Sequence, residues 1–319
     1  MRPGVWIAAS TVTSLFFFGA SAARAQIGPS GEASLVRPLP PSADGSAPPT
    51  PVLHVDFSVT NAFDGNLTRD EVPLRSYGLA PGVSVRYNPP GPFEAGYDVA
   101  FLEYTATDRW DRVSHAVSAS MTRRLAGVRL QTRAEGTWKV PADTLDLTRQ
   151  AEVSERATVA LAESTRLQLT AAWRYRYYID HPETSGISPY LSGRLDRRFG
   201  DRHAVVGYRF QTRQSRARAD RFRRQGYSVG FSTPVTRPDD ELALEFEFRP
   251  QIYQGFIDES PDPVRRRDRR VVMTAEYERP VGARITMRWL AGFQKRTSND
   301  PDKRFTDPTV ALTLRYRWL

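Results

Sequence analysis

A two-residue alternation of apolar and polar side chains, repeated along most of the chain, is the feature that most limits what this sequence can fold into. From Val52 onward the alternation recurs at intervals of about twenty residues, the length of one strand and its connection. It is clearest at residues 167–178, which read LQLTAAWRYRYY. A period of two places apolar side chains on one face of a strand and polar side chains on the other. The sequence therefore predicts an all-β protein.

Fourteen alternating segments follow one another, and the connections between them alternate in length. Short connections are predicted at Asn88–Pro92, Arg124–Ala126, Ala162–Thr165, Phe199–Arg202, Arg237–Glu241 and Arg279–Ala283, and longer charged ones at 62–80, 107–112, 140–149, 179–186, 215–225, 254–269 and 296–308. Short turns at one end and long loops at the other are typical of a transmembrane barrel with an even strand count. Counts of 12 or 16 stay open, because the sixth and eighth segments alternate weakly and Glu155 falls on the apolar face of the sixth.

The last segment places four large apolar side chains on one face, with Thr313, Arg315 and Arg317 on the other. The apolar residues are Leu312, Leu314, Tyr316 and Trp318. A soluble β-sandwich also has short alternating strands, but its apolar faces must form one dry core. Polar opposite faces on nearly every segment, with Trp and Tyr near the segment ends, favour lipid outside and polar residues inside. The predicted fold is a transmembrane antiparallel up-and-down β-barrel over residues 52–319.

The first 51 residues lack this alternation and predict two other segments. Arg2, an apolar run at 5–20 and small residues at 21–25 predict a secretory signal peptide cleaved after Ala25. A membrane anchor helix would need about 20 apolar residues, and this run is shorter and interrupted by Ser and Thr. Residues 26–51 are rich in Pro, Gly, Ser and Ala, which predicts a disordered periplasmic tail. A tail that plugs the lumen or binds a partner is the alternative.

Two motifs carry a resemblance to known outer-membrane proteins. The run from Leu312 to Trp318 resembles the C-terminal signal that the barrel-assembly machinery reads, except that Leu319 follows the aromatic residue. Residues 63–67 (FDGNL), after an alternating strand, resemble the start of the putative β-barrel porin proteins of Gram-negative bacteria, and residues 298–318 are similar to the last hairpin of several barrel families, including the surface lipoprotein assembly modifiers. The resemblance implies an outer-membrane location, with the barrel-assembly machinery, outer-membrane lipid and lipopolysaccharide as partners.

No segment carries a catalytic, metal-binding or nucleotide-binding motif. The chain has no cysteine, which excludes disulfides, thiol nucleophiles and thiolate metal sites. It has four histidines: His54, His115, His181 and His203. Outer-membrane phospholipases pair an outward-facing His with a Ser two residues on, whereas Val117 occupies that position after His115, and Ser114 and Ser118 fall on the other face. We therefore expect no enzyme and no cofactor, and a lipid-modifying enzyme is the third alternative.

Charged residues recur on the polar faces of the segments and define a candidate pore lining. The candidates are Arg129, Arg133, Arg174, Arg176, Arg209, Glu245, Glu247, Glu276, Glu278, Arg284, Arg288, Arg315 and Arg317. In a water-filled lumen these side chains would form an acidic wall beside a basic one, and a ring of arginines favours anionic solutes. Alternatively, Arg and Glu pair across strands and fill a narrow lumen.

The predicted function is a porin-like channel for passive passage of small polar or anionic solutes. The alternative is a closed scaffold barrel that binds a periplasmic or cell-surface partner. Arginines at 216–224 and 265–270 fall in predicted loops, where they would bind lipopolysaccharide phosphates or stay solvated. The net charge of +9 does not indicate nucleic-acid binding in an exported chain.

Overall fold

The protein forms one closed sheet of fourteen antiparallel strands, as the sequence predicts. The computed structural model describes residues 52–66, 73–106, 111–141, 148–179, 181–237, 240–256 and 264–318, so the predicted signal peptide and tail lie outside the described residues. The strands are β1 (Val52–Asp64), β2 (Ser76–Asn88), β3 (Phe93–Tyr104), β4 (Arg112–Leu125), β5 (Val128–Pro141), β6 (Thr148–Ala162), β7 (Thr165–Tyr178), β8 (Gly186–Phe199), β9 (Arg202–Ser215), β10 (Phe222–Pro234), β11 (Glu241–Phe256), β12 (Arg265–Pro280), β13 (Ile285–Ser298) and β14 (Phe305–Arg317). Each strand pairs with the next, and β14 pairs with β1, which leaves the sheet without an edge.

The alternation in the sequence becomes an apolar exterior and a polar interior. In β14, the outward-facing Val310 is 52% exposed, whereas its inward-facing neighbour Ala311 is 6% exposed. The outward positions of β13 lie directly opposite those of β14, as in the pairs Trp289↔Leu312 and Met287↔Leu314. Continuous rows of large apolar side chains therefore cover the outside, where a membrane barrel contacts lipid.

Tight turns join the strands at one end of the barrel. Ala126 and Gly127 form the β4–β5 turn with φ values of 46° and 80°. Positive φ at both central residues is the geometry that matches the twist of a two-residue hairpin. Each predicted short connection falls at the junction of two consecutive strands, although some of its residues, such as Arg124, Leu125 and Arg279, belong to the strands themselves.

Several predicted long connections are wrong in extent, since the strands continue into them. β1 runs to Asp64 and β2 begins at Ser76, so the predicted 62–80 loop is shorter. Arg223 and Arg224 belong to β10, and the arginines at 265–270 belong to β12. The ends of β10 and β12 are charged on both faces, which removed the alternation that the sequence assignment relied on.

The first and last strands, β1 and β14, pair along a seam that closes the barrel. The described residues of the two sequence motifs, 63–66 and 312–318, lie along this seam. Thr60 and Thr313 share a hydrogen bond of 2.8 Å between their hydroxyl oxygens inside the barrel. At one end of the seam the backbone N–H of Trp318 donates to the Val55 carbonyl at 2.9 Å. At the other end the Gly65 N–H donates to the Pro308 carbonyl at 2.8 Å.

The carboxylate of Glu155 is an exception to the apolar exterior. Glu155 lies opposite the outward-facing Thr132 on β5, whose hydroxyl donates to it, and the Arg123 guanidinium is 3.7 Å from its other oxygen. Arg123 is close to the β4–β5 turn and more than half exposed, so this cation lies near the membrane surface. The three side chains form a small polar patch on the lipid-facing side.

Replacing Glu155 by leucine is expected to stabilise the barrel. A carboxylate on the lipid face costs free energy, so Glu155→Leu should raise the free energy of unfolding by about 1 kcal/mol. Urea unfolding in lipid vesicles measures the change. The matched control is Glu135→Leu, which removes an inward carboxylate 3.5 Å from Arg133 and should not stabilise. A Glu155→Leu barrel that unfolds at lower urea than the parent would contradict the assignment of this face to lipid.

Helical structure is confined to single turns among the described residues. Three-residue 3₁₀ turns occur at Pro182–Thr184, Arg218–Asp220 and Pro301–Lys303, all in connections between strands. Within the described ranges, no helix has the length and apolar character needed to cross a membrane.

Candidate pore lining

The strand register turns all but one of the predicted pore-lining residues toward the interior. Inward-facing positions include Arg129, Arg133, Arg174, Arg176, Arg209, Glu245, Glu247, Glu276, Glu278, Arg288, Arg315 and Arg317. Arg284 is the exception, because it lies exposed in the β12–β13 turn, where its carbonyl accepts a hydrogen bond from the Arg317 N–H. The sequence prediction made Arg284 the first residue of a strand, whereas that strand begins one residue later, at Ile285.

The predicted acidic and basic walls are joined by ion pairs. The Arg288 guanidinium donates to the Glu276 carboxylate on the neighbouring strand. Arg315 reaches from β14 to Glu278 on β12, with 3.2 Å between Nη2 and Oε1. Arg249 donates two hydrogen bonds to Glu247. On these strands the charges therefore largely neutralise one another, as the cross-strand alternative predicts.

Other inward arginines are held by neutral acceptors. Arg176 donates to the Gln150 side-chain carbonyl at 3.0 Å and to the Tyr178 hydroxyl at 3.3 Å. Arg156, which the sequence prediction omitted, donates to the Gln131 side-chain carbonyl at 3.4 Å. Arg213 donates to the backbone carbonyl of Thr184. A neutral acceptor satisfies the N–H groups but leaves the positive charge in place, so β5 to β9 form the positive side of the interior.

A tyrosine connects four strands on this positive side. The Tyr190 hydroxyl on β8 donates to Glu152 on β6 at 2.8 Å, and Arg174 on β7 donates to the same carboxylate at 2.7 Å. The Arg209 guanidinium on β9 lies over the Tyr190 ring, 4.9 Å from its centre. Aromatic and ionic contacts of this kind hold arginines in defined positions instead of leaving them mobile.

Some of the arginines that the sequence analysis assigned to a surface loop face the barrel interior instead. Arg266 lies 3.9 Å from the centre of the Tyr253 ring and donates two hydrogen bonds to Asp268, at 3.0 and 2.8 Å. The Ser298 hydroxyl donates to the same carboxylate at 2.7 Å. The outward-facing Arg265, Arg267 and Arg269 are exposed. Fewer loop arginines are therefore available to surface phosphates than the sequence suggests.

His115 faces outward in an aromatic stack. Its ring lies 5.1 Å from the Trp138 ring at an interplanar angle of 13°, and its Nδ1 is 2.9 Å from the Tyr97 hydroxyl. Ser114 and Ser118 lie at inward positions, on the opposite side of the sheet. No cluster of three or more His, Asp or Glu residues that could hold a metal ion occurs in the described part of the chain.

A concavity of about 460 Å³ on the outer surface is apolar and separate from the interior. It lies over β10 to β13, where Ala275 and Ala291 leave a gap between larger side chains. These are Val229, Phe231, Leu244, Phe246, Met273 and Phe293. The strand pairing places all of them on the outer face of the barrel, so the concavity faces lipid and is suited to an acyl chain.

Solved structures similar to this chain are outer-membrane barrels. A bacterial polysaccharide outer membrane secretin matches with a TM-score of 0.54 at 8% identity, over 83% of this chain and 98% of that one. The chain has the fold of an outer-membrane β-barrel. The anion-selective porin from Comamonas acidovorans gives a TM-score of 0.48 at 10% identity, over 84% of this chain and 99% of that one. A loop-deletion mutant of OmpT from Vibrio cholerae gives 0.49 at 10% identity, over 85% and 100%.

Likeness at such low identity establishes the architecture of this barrel and nothing about its solute. No protein-family model matches the chain, and no curated protein matches its sequence. The resemblance to the putative β-barrel porin proteins therefore stays a prediction.

Proposed function

We propose that this barrel is an outer-membrane channel, without enzymatic activity, for the passive passage of small polar solutes, with a preference for anions. The observation that carries the proposal is the set of inward arginines with neutral acceptors, represented by Arg156, Arg176 and Arg213. Positive charge that stays uncompensated along a lumen lowers the energy of an anion there and raises that of a cation. Selection would follow from lumen width and charge.

The proposal extends to location and partners. The apolar exterior fits outer-membrane lipid, and exposed arginines at the loop end of β12 fit lipopolysaccharide phosphates. The outward face of β14 would serve as the signal for the barrel-assembly machinery. Its residues Leu312, Leu314, Tyr316 and Trp318 lie on the lipid side, and Trp318 contacts the ring of Phe57 across the seam at 6.4 Å between centroids.

A second candidate function is a closed scaffold barrel. It is favoured by the complete burial of the inward side chains of Gln294, Asp307 and Thr309 near the loop end of β13 and β14. Inward side chains that are inaccessible to solvent indicate a part of the lumen that is filled. A filled lumen would leave partner binding, rather than solute passage, as the role of the barrel.

Planar-bilayer recording decides between the two candidates. The folded mature chain is expected to give stepwise currents. In a KCl gradient, its reversal potential should have the sign expected when chloride permeates more readily than potassium. Deleting residues 26–51 should leave the conductance unchanged if the tail has no part in the pore. A barrel that conducts only after the deletion would show that the tail is a plug. Folded protein that gives no steps in either form would rule out the channel and leave the scaffold.

A further inference from the structure

A small polar cavity lies against the inner wall of β6 to β11, about half way along the strands. Its volume is about 80 Å³, and its lining includes Arg156, Gln168, Tyr190, Arg194, Arg209 and Glu247. The cavity adjoins the tyrosine-centred contacts described above, so its wall is held by hydrogen bonds and ring contacts from four strands. It has room for a few water molecules or one small ion.

Two donors at this cavity have no acceptor among the described residues. The Gln168 side chain is 8% exposed, and no described atom accepts a hydrogen bond from its buried Nε2. The buried Nε of Arg156 likewise has no hydrogen-bond acceptor in the described part of the chain. Buried polar groups in proteins are nearly always hydrogen-bonded, so two orphaned donors beside one cavity indicate a missing acceptor.

The charge around Arg156 indicates that this acceptor is an anion. Arg129, Arg133 and Arg194 are all close enough to interact electrostatically with the Arg156 guanidinium. The nearby carboxylates are already engaged by other residues: Glu247 by Arg249, Glu152 by Arg174 and Tyr190, Glu135 by Arg133 at 3.5 Å, and Asp196 by Arg194 at 3.1 Å. Among the described residues no carboxylate is therefore paired with Arg156 itself. Guanidinium groups that approach one another in a partly dry interior repel, and a bound anion relieves that repulsion.

We propose that the cavity binds a small oxyanion of the phosphate or sulfate class, with the Arg156 Nε and the Gln168 Nε2 donating to its oxygens. The inference rests on the proposed function, because the site would be a place on the positive side of the lumen where a permeating anion binds transiently. An oxyanion offers several acceptors to donors on different strands, which chloride does less well.

Calorimetric titration of inorganic phosphate into the detergent-folded full chain tests the site. The parent should show saturable binding, and Arg156→Gln should weaken it about tenfold, the effect of losing one charge-assisted hydrogen bond. Gln168→Glu is nearly isosteric and supplies an internal carboxylate to Arg156, so it should abolish phosphate binding in a barrel that still folds. The matched control is Arg315→Gln, which removes one inward charge on β14 and should leave the affinity within twofold.

The outcomes separate this site from the channel itself. Saturable phosphate binding that is equal in the parent, Arg156→Gln and Gln168→Glu would overturn the site, as would a parent that does not bind phosphate. A parent that conducts ions without binding phosphate would overturn the site and leave the channel. A parent that binds phosphate at this site and gives no current would support the site and overturn the channel.

Discussion

Substituting Gly65 by valine is expected to prevent stable closure of the barrel. A Cβ atom at this position would lie 2.6 Å from Pro308 Cγ, 2.7 Å from Pro308 Cδ and 2.8 Å from the Pro308 carbonyl oxygen. A proline ring and a backbone carbonyl cannot rotate away, so the β1 and β14 backbones must separate where the Gly65 N–H now donates. The expected loss is about 3 kcal/mol or more of the free energy of unfolding.

Loss of heat-modifiable migration in detergent gels and urea unfolding in vesicles both measure this effect. The matched control is Gly282→Val in the β12–β13 turn, because a Cβ atom there meets nothing within 4 Å. The control should migrate and unfold like the parent. Equal stability of the two variants would show that the seam does not require glycine at position 65.

Inverting two inward arginines is expected to change the ion preference of the channel. Arg129 and Arg176 lie near opposite ends of the positive side, and Arg176 is held by neutral acceptors. The double variant Arg129→Glu/Arg176→Glu replaces two positive charges by two negative ones. At the dielectric of a hydrated pore each inversion changes the energy of a nearby ion by about 1 kcal/mol or more. The anion-to-cation permeability ratio should therefore fall at least about tenfold.

The reversal potential in a KCl gradient gives this ratio directly. The control is Arg267→Glu/Arg269→Glu, which makes the same charge change at exposed, outward positions on β12. Salt screens charges beyond about 10 Å, so the control should leave the ratio nearly unchanged. A reversal potential that is the same in the parent and in the inward variant would show that the current does not pass these arginines.

The sequence predicted the strand count and the tight turns because both depend on local order. Alternation of side chains and hairpin residues such as Ala126 and Gly127 act within a few positions of one another. The strand ends were predicted less well, since alternation disappears where a strand leaves the lipid. At β12, Arg267 and Arg269 face outward and Arg266 and Asp268 face inward, so both faces are charged.

The polar interior could be predicted only one strand at a time. Alternation correctly gives which residues face inward, but it does not give which inward residues meet. The cavity beside Arg156 and Gln168 depends on the register of β6 against β7 and on side chains from β8 to β11. The sequence signal that was missed is the polar face of β6, the segment whose outward Glu155 made its alternation look weak.

The pairing of β1 with β14 also determines when the barrel can be completed. The contact between Thr60 and Thr313 joins residues 253 positions apart, whereas every other strand pairs with its immediate neighbour in sequence. During synthesis and export, β1 therefore keeps one unpaired edge until the C-terminal residues emerge, and closing so long a loop is slow. An exposed edge strand readily pairs with other chains. The partly folded chain is accordingly most prone to aggregation during that interval.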